Sequence, residues 1–274
     1  MRWHAYELPE FRAGAKSIFI VELENAGSAP WHSQPGVGVH LAYHWLDLLG
    51  NAIVWAGAFI KLPDVVAPGE RFSVPVTARA PIPPGRYRLA LDLVDEGRAW
   101  FSELGNHRIE EVVDVEPRLE SRALAVQVGE GPPELVEQTR AALAAQEETI
   151  TAVGESEATA YLAAGCRPDP DWARLILDAH AEGYAAVGGS IDVEGGLLRR
   201  TPKELDPWRP GFGRSPNWSR PLVCPSLLIP SELAWLAGLP ALDPTALEEP
   251  WLCDGRIRVA VAATALRPAG RRSA

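Results

Sequence analysis

Residues 204–221 read ELDPWRPGFGRSPNWSRP. Within this loop Trp208, Arg214, Asn217, Trp218 and Arg220 combine flat apolar faces with hydrogen-bond donors, the pairing that a sugar ring or an anionic group requires of a binding surface. The loop is too long to be a mere connector. Either it holds a ligand, or its tryptophans pin it to the domain beneath. A second stretch, YLAAGCRPDPDW at 161–172, is framed like an active-site turn, with an apolar strand before it and Pro-Asp-Trp opening a helix after it. Yet Ala163, Ala164 and Gly165 carry no group able to ligate a metal or move a proton. His40 and His44 share one strand face but stand roughly 13 Å apart at about 3.3 Å per residue, too far to share a metal. Trp31, Trp45, Trp55 and Trp100 form either a sugar-stacking platform or part of a core, and Trp45 falls on the core side. Gly-x-Gly at 129–131 and the GFGR at 211–214 are single matches and carry no phosphate-loop assignment.

The elements that must position these residues fall into two grammars. From about residue 10 to 117 the apolar pattern has period two. SIFIVELEN, VGVHLAYHWLD, AIVWAGAFI, RFSVPVTAR, RYRLALDLVDE and RIEEVVDVEP each predict a strand, bounded by turns such as Ala67-Pro68-Gly69-Glu70 and Pro83-Pro84-Gly85-Arg86. Val37, Val39, Leu41, Tyr43 and Trp45 share the core face of the second strand. Short strands at this spacing predict an immunoglobulin-like antiparallel β-sandwich over 1–117.

After Pro117 strands alternate with amphipathic helices. ALAVQV precedes a helix over 132–146, with Leu135, Val136, Thr139, Ala142 and Leu143 on one face. TITAV and ATAYL are strands. A helix begins near Pro170, capped by Asp169 and ended by Gly183, and YAAVGGSI follows as another strand. This order predicts an α/β layer with a largely parallel sheet over 118–274, ending in a flexible Arg-rich tail.

Composition narrows the partners. The 274 residues are 47% apolar with a net charge of −10, which disfavours nucleic acid because phosphate binding draws on an excess of Lys and Arg. Cys166, Cys224 and Cys253 are odd in number, far apart and without metal-site spacing, as expected of reduced thiols in a cytoplasmic protein. No stretch has the length and apolarity of a membrane span.

Two resemblances add to this reading. ENAGSAPW, HLAYHWLD, VAPGE, PPGRYRLALDLVDEG and WFSELG resemble the small immunoglobulin-like modules of bacterial carbohydrate-active and polysaccharide-assembly proteins. AVQVGEGPPELVEQTRAALAAQ, then YLAAGCRPDPDWARLILDAHAEGYAAVGGSI, then SRPLVCPSLLIPSELAWLAGLPALDPTALEEPWLC resemble, in order, the inverting nucleotide-sugar-dependent glycosyltransferases of GT-A fold. That family's strand corresponding to AYL ends in an Asp-rich motif that holds a divalent cation. Ala163, Ala164 and Gly165 stand there instead, without the oxygen ligands hard ions need. The family's acidic pair corresponds to Glu248-Glu249, with Glu249 at the place of the general base; it could accept a proton, or simply be solvated at a helix end. VGES at 153–156 stands for the uridine loop, in a shortened nucleotide-binding part.

The resemblance therefore implies a multi-domain α and β protein, a sandwich followed by a reduced GT-A-like domain. It implies a glycosyltransferase homologue without metal-dependent transfer, binding a sugar or nucleotide sugar and needing no metal or other cofactor. Arg214 or Arg220 could replace the cation if transfer persists. The other reading is a non-catalytic docking module among polysaccharide-assembly proteins. Two carboxylates placed at 163 and 165 would form a Mn²⁺ site, provided that the turn borders a cleft and that Gly165 needs no positive φ.

Overall fold

A computed structural model describes residues 1–194 and 250–262. The chain divides into two compact units, Met1–Pro117 and Arg118–Ala274.

The first unit is a β-sandwich. Its strands are β1 (Arg2–Tyr6), β2 (Phe11–Arg12), β3 (Lys16–Glu24), β4 (Trp31–Gln34), β5 (Val37–Leu46), β6 (Ala52–Val54), β7 (Phe59–Lys61), β8 (Val65–Val66), β9 (Arg71–Arg79), β10 (Gly85–Asp95), β11 (Ala99–Trp100) and β12 (Ile109–Glu116). One sheet has the order β1-β3-β9. The other is built on β2-β12-β10-β5-β4-β8, with β6 and β7 both paired to β5 and β11 paired to β10. Pairing is antiparallel throughout except where β2 joins β12.

Alternation decides what lies between the sheets. Phe19, Val21 and Leu23 from β3, Val74, Val76 and Ala78 from β9, Val39, Leu41, Tyr43 and Trp45 from β5 and Leu89, Leu91 and Leu93 from β10 form one core. Trp45 is fully buried, donates its indole N–H to the Arg79 carbonyl at 2.8 Å and meets Phe11 edge to face. The core face expected from VGVHLAYHWLD is the one observed, save that Val37 at its end is exposed.

One strand reads differently from the sequence pattern. AIVWAGAFI is not a single strand but the two short strands β6 and β7, broken at Trp55–Ala58. Ala56 sits at φ 58°, where the Cβ of an L-residue crowds the backbone. Its N–H turns to His44 Nδ1 at 3.2 Å, and the Gly57 N–H to the Tyr43 carbonyl at 2.9 Å. The period-two pattern is interrupted because this backbone bends back over β5.

The second unit comprises β13 (Ala123–Val128), α1 (Pro133–Ala144), β14 (Thr149–Thr151), β15 (Ala158–Leu162), β16 (Cys166–Pro168), α2 (Trp172–Glu182), β17 (Ala186–Glu194) and β18 (Trp251–Ala262). β14, β13 and β15 form a parallel sheet in that order, and β18 pairs parallel with β17 and antiparallel with β16. Pro132 and Pro133 open α1, where a missing N–H costs nothing. Gly183 ends α2 at φ 122°. The start of α2 differs from expectation: Asp171, not Asp169, is the N-cap residue, and neither carboxylate caps. Asp171 pairs with Arg174, while Asp169 contributes its backbone carbonyl to the Trp172 N–H at 3.0 Å. Leu124, Leu143, Ala160, Leu162, Trp172, Ile176 and Leu177 centre a separate core. Among the described residues no helix is long and apolar enough to cross a membrane.

Candidate functional site

Glu248 and Glu249, and the loop residues Trp208, Arg214, Asn217, Trp218 and Arg220, lie outside the described residues. The turn at Ala163–Gly165 is described, and it is closed. The Gly129 N–H donates to the Leu162 carbonyl at 2.7 Å, tying the ends of β13 and β15 together. Ala164 is buried, and a Cβ added at Gly131 would stand 2.6 Å from the Ala164 Cβ. Ala163 packs against the apolar core. Gly165 takes φ 86° and its N–H is shared between the Leu135 carbonyl at 3.0 Å and Thr139 Oγ1 at 2.9 Å. The proviso on Gly165 is therefore not met: a left-handed glycine holds this turn against α1, and a carboxylate there would be strained. Cys166 follows, buried, its thiol pushed up to about 11 by loss of solvent, which leaves it inert as a nucleophile.

A built site exists elsewhere, on the outer face of the larger sheet of the sandwich. Even-numbered residues of β5 and β10 point away from the core. His40, Ala42, His44 and Leu46 lie beside Val94, Asp92, Ala90 and Arg88, pair by pair in register. On β12, Glu110 stands opposite Ala90 and Val112 opposite Arg88, and Arg108 precedes the strand on the same parity. His40, His44 and Asp92 are nonetheless buried. Aromatic residues lie against the two histidines: Trp55 from the broken β6–β7 segment and Trp100 from β11 at His44, and Phe59 from β7 at His40.

The geometry of these contacts is specific. The Trp55 indole stacks on the His44 imidazole, centroids 4.1 Å apart and planes inclined by 27°. Trp100 meets His44 at 4.6 Å and 65°, and Trp55 at 5.5 Å and 72°. Phe59 lies 6.3 Å from Trp100 and 6.4 Å from His40. Packed on His44 and against Trp100, Trp55 still remains 50% exposed. Phe59 is equally exposed.

Beneath the rings the polar groups are fixed. His44 Nδ1 accepts the Ala56 N–H, which places the proton of the neutral ring on Nε2. That buried Nε2 has no hydrogen-bond partner among the described residues. Burial, reinforced by the charge of Arg108, lowers the His44 pKa to about 4, so the ring is neutral at physiological pH. Asp92 accepts the N–H groups of Leu93 at 2.8 Å and Ser102 at 3.3 Å; burial raises its pKa against these bonds. His40 Nδ1 lies 3.2 Å from both the Gly38 carbonyl and Glu96 Oε1.

Of the residues singled out in sequence, the structure therefore joins Trp55, Trp100, His40 and His44. It removes Trp45 to the core and Trp31 to a separate edge-to-face contact with Phe101. Phe59, Asp92, Arg88 and Arg108 were not legible as partners. The signal available for Asp92 was an acidic residue within the apolar run LALDLV, whose strand is buried on both faces.

No protein-family model and no curated protein matches the chain. Solved structures similar to it include a CARDB domain from Pyrococcus furiosus, at 16% identity over 38% of this chain and 78% of that one, with a TM-score of 0.26. The ASH/PapD-like domain of human CEP192 is 17% identical over 39% and 75%, with a TM-score of 0.21. A family 123 glycoside hydrolase from Clostridium perfringens is 12% identical over 47% of this chain and 26% of that one, at 0.24. Likenesses this low transfer neither fold nor role; the sandwich assignment rests on its strand pairing.

Proposed function

We propose that the protein binds carbohydrate on the outer face of its sandwich, with Trp55 as the stacking surface, and performs no metal-dependent sugar transfer. The observation that carries this reading is the Trp55 ring: half exposed, backed by a neutral imidazole and presented by a backbone held in an unfavourable conformation at Ala56. The C–H faces of pyranose rings pack on indole faces, and a ring already immobilised by stacking loses little entropy on binding. Strain that a fold retains beside an exposed aromatic is the kind that accompanies a binding surface.

In the second unit, the parallel order β14-β13-β15 with α1 between β13 and β14 supports a reduced GT-A-like scaffold. The turn at Ala163–Gly165 is packed and borders no cleft, which takes from the glycosyltransferase parentage of this loop its best support. Trp208, Arg214, Asn217, Trp218 and Arg220 remain the proposed sugar-binding residues and Glu249 the proposed base, all outside the described residues. The test is titration of intrinsic tryptophan fluorescence with a panel of oligosaccharides and sugar nucleotides, in EDTA and in Mn²⁺. Binding that is unchanged between the two supports the proposal; turnover that requires Mn²⁺ refutes it.

A second reading, docking within a polysaccharide-assembly complex, is favoured by Ile18 and Ile20, which stand exposed on the outer face of β3 opposite Thr77 and Pro75. A cross-linked partner lost in the Ile18→Glu, Ile20→Glu variant, with sugar binding intact, would support it; a partner retained would exclude this face.

A further inference from the structure

We infer that the sugar received at Trp55 is an acidic one, whose carboxylate is taken by Arg88 and Arg108. The inference rests on the carbohydrate reading above and names its ligand class. Arg88 on β10 and Arg108, which immediately precedes β12, share the parity of the outward residues His44 and Asp92. Arg108 is close enough to His44 and Asp92 for its charge to act on both. The two guanidinium groups share a single carboxylate. Arg88 Nη1 donates to Glu110 Oε1 at 2.8 Å, and Arg108 donates Nε and Nη2 to Glu110 Oε2 at 3.0 and 2.7 Å.

The sharing leaves donors over. A guanidinium presents five N–H groups, and Arg88 uses one on Glu110 while its buried Nε has no partner among the described residues. His44 Nε2, also buried, is the second orphaned donor on this face. Glu110 is the one carboxylate that both guanidinium groups grip; Asp92, which Arg108's charge also reaches, is buried with its oxygens turned to the backbone N–H groups of Leu93 and Ser102. The next charges along the face, Arg86 and Asp114, pair with each other at 3.0 Å. Stacking orients the sugar ring, and a planar carboxylate matches the fork of a guanidinium, so the two features select for a uronic acid over a neutral hexose.

The experiment is calorimetric titration of the full chain with galacturonate and glucuronate trisaccharides and with their methyl esters, which keep the rings and remove the charge. The acids are expected to bind about tenfold more tightly than the esters, with the difference falling in 0.5 M NaCl and vanishing in Arg88→Gln, Arg108→Gln. Thermal unfolding checks that variant, and the wild-type comparison of acid with ester decides the matter even if the variant fails to fold. Equal affinity for acid and ester would overturn the acidic-sugar inference while leaving the carbohydrate reading in place. Binding of neither, with neutral oligosaccharides also silent, would overturn both.

Discussion

The Trp55 indole and the His44 imidazole are stacked 4.1 Å apart, one ring half exposed and the other buried. The relationship is maintained from below, by the Ala56 N–H on His44 Nδ1, so the imidazole serves both as hydrogen-bond acceptor and as a flat support. It holds only while the imidazole is neutral.

The pH dependence of stability follows from that condition. His44 has a pKa near 4 in the fold against an ordinary value of 6.5, so between these values the unfolded chain binds the proton more readily. The contribution of neutral His44 is fully present above about pH 6.5 and is lost as the pH falls toward 4. His180, buried in the second unit, acts in the same direction. Urea midpoints measured between pH 7.5 and 4.5 should fall, and His44→Phe should flatten part of the slope.

Trp45→Ala should destabilise the sandwich by about 3–5 kcal/mol, the range for removing a fully buried large aromatic. Denaturant unfolding of the first unit measures it. A loss under about 1 kcal/mol would contradict the assignment of Trp45 to the core.

Residues 1–117 expressed alone should fold, because among the described residues their core runs from Phe11 to Val115 within one compact unit. A dispersed NMR spectrum and a cooperative melt are the expected results.

The turn after β15 should resist conversion into a metal site. Gly165→Ala alone should cost about 1–2 kcal/mol, the penalty of a Cβ in the left-handed region. Ala163→Asp with Gly165→Asp should therefore lower the melting temperature and show no Mn²⁺ binding by calorimetry.

What was legible in the sequence followed from periodicity. The odd-numbered apolar residues of VGVHLAYHWLD place Trp45 inside, and the register of β5 confirms that face. Trp55 was named in the sequence, but its placement was not legible because AIVWAGAFI reads as one uninterrupted strand, and Ala at a positive φ leaves no mark that Gly or Asn would. His44 sits on the non-core face, which alternation alone assigns to solvent; the fold-back of residues 52–61 and Trp100 bury it. The turn at Ala163–Gly165 was framed correctly by Cys166 and Pro168, but whether it opened or closed depended on Gly131 and Thr139, distant in sequence.

The measurement that bears most directly on the carbohydrate claim is Trp55→Ala, compared with the wild type by calorimetric titration in EDTA against the oligosaccharide that binds best. Trp55 is half exposed, so the variant should stay folded, its melting temperature lowered by the lost stacking on His44 and Trp100, and should weaken binding about tenfold or more. Affinity unaltered in a folded Trp55→Ala protein would contradict the account.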